Sequence, residues 1–446
     1  MHSQKSRAHK GFGPKIEKLI PNVFLQARIS VNPTDVASAA NDIKPYDHVD
    51  PLDFQKLKAS LNATKSSIDK YALAEKTSAS YSRLAATLTL TNDLREVILR
   101  KYNGQFTTRA WIKFYEMYSH YPLTSTTQKS LFAFLNAELP GASICALNHY
   151  MKTMLPDVKF DWRASSLVVK EGTSNKINAL DDQYGLWEKN RDKWLMSDTN
   201  DGNMTVVENI LAYEKIIGTS CDLYTHDAGI DVSDDFNLQE YKNMKIHLGC
   251  ALAGFVSLKF GGNFVAKQYT FFETFTIDLI LIYASLFDEF YICKPTASGP
   301  SNSEIYLVGL GFRGLPKSIR DLLFARMSAF TTHPFLPKDK AAGLEATKEI
   351  YRFCRLLTNR QIAYINEGLT LFEKSQHAIN KLSSGIEWAR KQFEEIWLKK
   401  YPIKRIESKD HLAARPPQRS GPNIAANSKD KKKYPAPGSH ANRQLR

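Results

Sequence analysis

Residues 289–312 read "EFYICKPTASGPSNSEIYLVGLGF". Two runs rich in aromatic and β-branched residues, "EFYICKP" and "SEIYLVGLGF", are parted only by "TASGPSN". A helical crossover needs a dozen residues or more, so these two strands pair antiparallel as a hairpin. Upstream, from about residue 105, short apolar runs alternate with amphipathic helical stretches, the pattern of a parallel α/β sheet. The predicted fold class is therefore α/β, with a mostly parallel sheet ending in one antiparallel C-terminal hairpin and carrying helical extensions.

Working back from the hairpin, "SLFAFLNAEL" (130–139), "VKFDWRASSLVV" (158–169), "SCDLYTHDAG" (220–229) and "GGNFVAKQY" (261–269) read as strands. "PGASICALNHYMKTM" opens from a turn into a helix. "NLQEYKNMKIHLGCALAGFVSLKF" has helical apolar spacing and is expected to stop at Gly261-Gly262. "FFETFTIDLILIYASLF" (271–287) is too short for a membrane span and contains Glu273 and Asp278, so it reads as a buried helix. Four regions follow. Residues 1–104 form a mostly helical accessory region with a basic, disordered start; 105–315 the α/β domain; 316–402 a helical extension; and 403–446 a disordered basic tail.

The charge agrees with that division. The chain of 446 residues carries a formal net +14, of which residues 401–446 hold +8 and residues 1–20 hold +4. The ends are basic and the body is nearly neutral, which places any electrostatic footprint for nucleic acid in the termini, most plainly at Lys431, Lys432 and Lys433. Five cysteines without a close pair suit neither a disulfide framework nor a zinc knuckle and favour a reducing compartment. The basic N-terminus lacks the apolar run of a signal peptide, so the expected location is cytoplasmic, with no membrane association.

Ligands of open α/β sheets bind at the carboxyl ends of the strands, so what each strand delivers there matters most. The first delivers Glu138 and then the tight turn Pro140, Gly141, Ala142 at a helix start, where backbone can approach a ligand. Neither GxGxxG nor GK[ST] is present. The third strand delivers Asp227, the next delivers Lys267, and the last begins at Glu304. Singly these could be a turn cap, a snorkelling lysine and an edge residue. Together they put two acids and one base at adjacent strand ends, which implies a cleft. Asp231, Asp234 and Asp235 read as a solvated loop, and no metal is expected.

With Lys113, these residues give the order Lys-Asp-Lys-Glu, and the chain resembles the FtsJ-type (RrmJ-like) RNA 2'-O-methyltransferase family, whose signature is that tetrad. The resemblance runs through "TTRAWIKFYE" (107–116), "NAELPGASICALNHY" (136–150), "DGNMTVVENI" (201–210), "LYTHDAGIDV" (223–232), "GGNFVAKQY" and "KPTASGPSNSEIYLV" (294–308). It is strongest toward the cap-specific branch, including forms in large cytoplasmic DNA viruses. It implies a Rossmann-like sheet with S-adenosyl-L-methionine as cofactor, held near Glu138, Pro140, Gly141, Ala142, Asn203 and Asp227. It implies capped mRNA as substrate, a viral replication site or virion as location, and a capping enzyme as a possible partner. Lys267 is the implied base, Lys113 a neighbouring cation, Asp227 and Glu304 the groups that orient them, and Arg109 an RNA contact.

The chemistry asks for such a set, because a ribose 2'-hydroxyl is a poor nucleophile that must be aligned and relieved of its proton. Three departures touch the cofactor or RNA contacts: Asn203 where relatives carry an acid, Ala142 in place of a second glycine, and "ASGP" where cap-specific relatives tend to have "SRP". Two other readings stand beside the cap-specific one. One is methylation of internal, ribosomal-type RNA sites; the other is a non-catalytic RNA-binding or virion scaffold protein that keeps the fold.

Overall fold

In this computed structural model the described residues are 24–34, 36, 54–72, 88–170, 177–179, 182, 184–197, 200–230, 232, 235–336, 345–375 and 379–413. The described residues all lie within one compact unit, and Lys431, Lys432 and Lys433 lie outside the described residues.

Seven strands build the sheet: β1 (Leu25–Arg28), β2 (Ser130–Asn136), β3 (Lys159–Ser165), β4 (Cys221–His226), β5 (Leu258–Gln268), β6 (Phe287–Lys294) and β7 (Ile305–Phe312). Their order is β1-β6-β7-β5-β4-β2-β3. The predicted hairpin is β6–β7, and its second strand inserts next to β5. The α/β class holds, but the sheet is evenly divided rather than mostly parallel. The pairs β2–β3, β2–β4 and β4–β5 are parallel, while β5–β7, β6–β7 and β1–β6 are antiparallel. The added antiparallel pair comes from β1, a four-residue strand in the N-terminal region; "LQAR" alternates apolar and polar residues, but over so few positions that the signal is weak.

Side chains alternate across the strands and feed two apolar layers. Tyr224 and Phe264 face one layer, with α6 (Gln239–Phe255) and α7 (Thr274–Ser285), whereas Leu223, Val265 and Tyr306 face the other. That second layer contains α3 (Arg109–His120), α4 (Ala142–Met154) and the C-terminal helix α10 (Ile379–Lys400). The remaining helices of ten residues or more among the described residues are α1 (Phe54–Ser66), α2 (Thr91–Arg100), α5 (Val207–Ile217), α8 (Lys317–Ser328) and α9 (Glu345–Ser375).

Two boundaries differ from expectation. Helix α6 ends at Phe255 rather than at Gly261, and β5 starts at Leu258. Gly261 (φ +77°) then sits inside the strand, where the pairing jumps from Cys221↔Leu258 to Leu223↔Asn263. The glycine thus serves a bulge rather than a helix stop. The tail is also packed further than predicted, through Ala413. Gln105 Oε1 accepts from the amides of Leu412 and Ala413 at 2.7 and 3.2 Å, and the Ile406 amide donates to Tyr102 O at 3.1 Å. Composition favoured disorder there because these are backbone contacts, which side-chain polarity does not reveal.

Candidate active site

The strand register brings the four predicted residues together. In the pairing β2–β4–β5, Asn136 lies opposite His226 and His226 opposite Ala266, so Glu138, Asp227 and Lys267 leave the sheet at one edge. Lys267 pairs with Tyr306 on β7, which sets Glu304 just beyond the strand start on the same side. Helix α3 supplies the fourth. The Thr108 side chain accepts from the Trp111 amide to cap it, and Arg109 and Lys113, four residues apart, share the face that looks into the site.

Lys113 Nζ forms an ion pair with Glu304 Oε1, and both side chains are buried. Lys267 Nζ lies 3.5 Å from Asp227 Oδ1, 3.7 Å from Glu304 Oε2 and 3.4 Å from the Asp227 carbonyl. Burial works against the charge on Lys267, but Asp227 and then Glu304 outweigh it and raise the ammonium above the ordinary lysine range. Burial alone would lift the Glu304 carboxyl; Lys113 and Lys267 more than reverse that and hold it well below the usual carboxylate range. The site is therefore a network of two cations and two anions in which Lys267 holds its proton.

Sequence reasoning missed three members. The buried Tyr306 hydroxyl lies 3.1 Å from both Asp227 Oδ1 and Glu304 Oε1, between the two carboxylates. The Tyr269 ring sits 5.5 Å from Lys267 Nζ, and a Cβ at Gly229 would come within 2.4 Å of the Tyr269 hydroxyl, so "DAG" needs its glycine for close approach. Lys294, at the end of β6, donates to the carbonyls of Asn302 and Glu304 at 2.6 and 2.9 Å and to Ser298 Oγ at 3.3 Å. Burial pushes its ammonium down to about 7; Glu304 opposes this, while Lys113, Arg109 and Arg360 add to it.

The predicted cofactor residues form the neighbouring rim. Gly141 (φ +103°) starts α4, and a Cβ there would lie 2.0 Å from Leu186. The Leu139 amide donates to Ser166 Oγ at 3.3 Å, and a Cβ on Gly202 would strike the Ser166 carbonyl at 1.9 Å, so the loops after β2, after β3 and around residues 200–204 meet. Glu138 is buried and accepts from the Ser143 hydroxyl; burial and then the Asp227 charge push its carboxyl well above the usual range. A buried acid with no ion-pair partner among the described residues fits a cationic ligand group at this edge. Asn203 is spent differently: its Oδ1 accepts from the Thr205 amide at 3.0 Å and hydroxyl at 2.7 Å, shaping its own turn. Arg109 Nη2 donates to the Ser298 carbonyl at 3.4 Å, and so lies against the β6–β7 loop.

The FtsJ-like methyltransferase family profile matches residues 106–312, which span every residue of this cluster. The African swine fever virus protein named "Probable methyltransferase EP424R" is 34% identical over 375 residues, which cover 80% of this chain and 85% of that protein. The chain belongs to the FtsJ-like methyltransferase family. The mouse protein named "Cap-specific mRNA (nucleoside-2'-O-)-methyltransferase 2" is 26% identical to this methyltransferase over 344 residues, covering 73% of this chain and 43% of the mouse protein. A solved structure of a ribosomal RNA methyltransferase from Plasmodium falciparum aligns with 47% of the methyltransferase at 17% identity and a TM-score of 0.29.

Proposed function

We propose that this methyltransferase transfers a methyl group to the ribose 2'-hydroxyl of capped mRNA, with Lys267 as the base. The convergence of Lys113, Asp227, Lys267 and Glu304 at one sheet edge, beside the Glu138–Ala142 rim, carries the reading. Relatives named as cap-specific nucleoside-2'-O-methyltransferases, in mouse and in Drosophila melanogaster, support the choice of substrate.

S-adenosylmethionine, when bound, supplies an electrophilic methyl on a positively charged sulfur. Glu138 and the backbone turn at Pro140, Gly141 and Ala142 would hold it, with Asn203 near its base and Asp227 beside it. Lys267 Nζ would take a hydrogen bond from the 2'-hydroxyl and then its proton, which requires a neutral amine. Asp227 and Glu304 favour the protonated form in the free enzyme. A bound cation and the exclusion of water both favour its loss, so the base is armed by occupancy of the site. Lys113 balances Glu304, and the Tyr306 hydroxyl bridges the two carboxylates.

The deciding experiment follows label from S-adenosylmethionine into a short RNA with a methylated-guanosine cap, beside the same RNA uncapped. Label is expected on the first transcribed ribose of the capped RNA, with a loss of roughly 100-fold or more in Lys267→Ala while calorimetry shows cofactor affinity kept. Equal labelling of uncapped RNA would replace the cap reading by the internal-site one. A folded protein that binds RNA but transfers no label would leave the scaffold reading.

A further inference from the structure

The β6–β7 loop, residues 295–304, ends at Glu304, and its residues Pro295, Thr296, Gly299 and Pro300 line a small recess. Its floor is apolar, from Leu25, Pro300 and Leu357, and Lys294 and Arg360 stand in its wall. Arg360 comes from α9, outside the residues matched by the family profile. Its guanidinium makes no hydrogen bond or ion pair among the described residues. Arg109 approaches the same loop from α3: a Cβ at Gly299, which lines the recess, would lie 3.4 Å from Arg109 Nη2. Arg109 likewise has no carboxylate partner among the described residues, only the Ser298 carbonyl.

Two guanidinium groups, Arg109 and Arg360, therefore approach one turn without a carboxylate partner among the described residues. The nearby carboxylates are committed elsewhere: Glu304 to Lys113 and Lys267, and Glu116 to the amides of Thr296 and Ala297 and the Trp397 indole. Elsewhere on α9, Arg352 pairs with Glu349 at 3.1 Å and Arg355 lies 5.8 Å from the Tyr351 ring. An unpaired guanidinium above a small recess is arranged to receive an anion from outside the chain. Lys294 joins the recess to the tetrad, since its ammonium donates to the Glu304 carbonyl. A polyanion that presents a ribose to Lys267 must lay a neighbouring phosphate close to that wall.

We infer that Arg360, with Arg109, forms a phosphate-binding recess that grips the RNA backbone next to the ribose being methylated, Lys294 holding the loop behind them. This rests on the RNA reading above. The apolar floor is suited to the sugar or base attached to that phosphate, while the guanidinium takes the charge.

The test is fluorescence anisotropy of a labelled single-stranded oligoribonucleotide, titrated over a range of salt concentrations with the full chain, Arg360→Gln, and Arg352→Gln as a control on the same helix. Arg360→Gln is expected to weaken binding about tenfold and to flatten the dependence of log Kd on log salt by about 0.7, the share of one phosphate contact on a single strand. Arg352→Gln should match the wild type, and calorimetric affinity for S-adenosylmethionine should be unchanged in both. An Arg360→Gln protein with wild-type RNA affinity and salt slope would overturn the recess and leave the proposed reaction standing. A wild-type chain that binds no RNA would remove the RNA reading and the recess with it.

Discussion

The Tyr306 hydroxyl bridges Asp227 and Glu304 and was within reach of sequence reasoning, because residues two apart on a strand share a face and Glu304 had already been singled out. Tyr306→Phe leaves the two carboxylates without that donor, and a lost hydrogen bond to a charged group costs about 1.5–3 kcal/mol. Methyl transfer should fall about tenfold or more while cofactor affinity is kept, which initial rates and calorimetry would separate. The raised pKa of Lys267 also sets the direction of the pH profile: rate should climb with pH into the alkaline range as the amine is freed. Asp227→Asn removes the first of the charges that hold that proton, so the limb should move to lower pH even as the maximum rate drops. Lys267 and Asp227 were legible because each is a polar residue where a strand ends, and Glu304 because it stands where the last, antiparallel strand begins. Lys294 was not, since its partners are backbone carbonyls that only the path of the loop brings round. Asn203 was read by its position in a motif, whereas its side chain is engaged in a local turn.

The β6–β7 loop is held from beneath by a carboxylate on helix α3. Glu116 accepts from the amides of Thr296 and Ala297 at 2.6 and 3.0 Å, and from the Trp397 indole of α10 at 2.9 Å. The C-terminal extension thus buttresses the loop that carries Glu304, a role that no motif in "EWARKQFEEIWLKKY" announces. Trp397→Phe keeps most of the packing but removes one donor from a buried carboxyl. Destabilisation by about 1–3 kcal/mol is expected, read from denaturant midpoints. At this scale helices and strands were recognisable from apolar periodicity. Strand order was not, because period fixes which face is buried and says nothing of which neighbour is chosen. The bulge at Gly261 escaped for a related reason, as a glycine after an apolar run marks a helix end and a strand irregularity equally well.

Across the whole molecule, three buried acids share one design. Glu116 holds the loop just described, Glu240 accepts from the amides of Phe272 and Glu273, and Asp278 Oδ2 accepts from those of Phe335 and Leu336 at 2.7 and 3.0 Å. Burial pushes each of them up to about 7. The unfolded chain releases these protons at ordinary carboxylate pH and the folded chain only near pH 7. Their contribution is therefore full below about pH 4 and fades as the pH rises to about 7, at roughly 1.4 kcal/mol per pKa unit for each group. Melting temperature should fall from pH 5 to pH 8. Asp278→Asn should shallow that fall, since its amide oxygen can still accept both bonds and Asp278 Oδ1 has no partner to lose. Such amide-held acids cannot be told from surface acids in a sequence, because their donors lie far away along the chain. That separation also bears on synthesis. The edge strand β1 emerges early but pairs with β6, Leu25 against Lys294, and Glu116 waits for Trp397. On a ribosome the N-terminal strand must remain without its partner until most of the chain has been translated. A product truncated before residue 397 would carry all four tetrad residues yet lack the indole that helps to fasten the loop leading to Glu304.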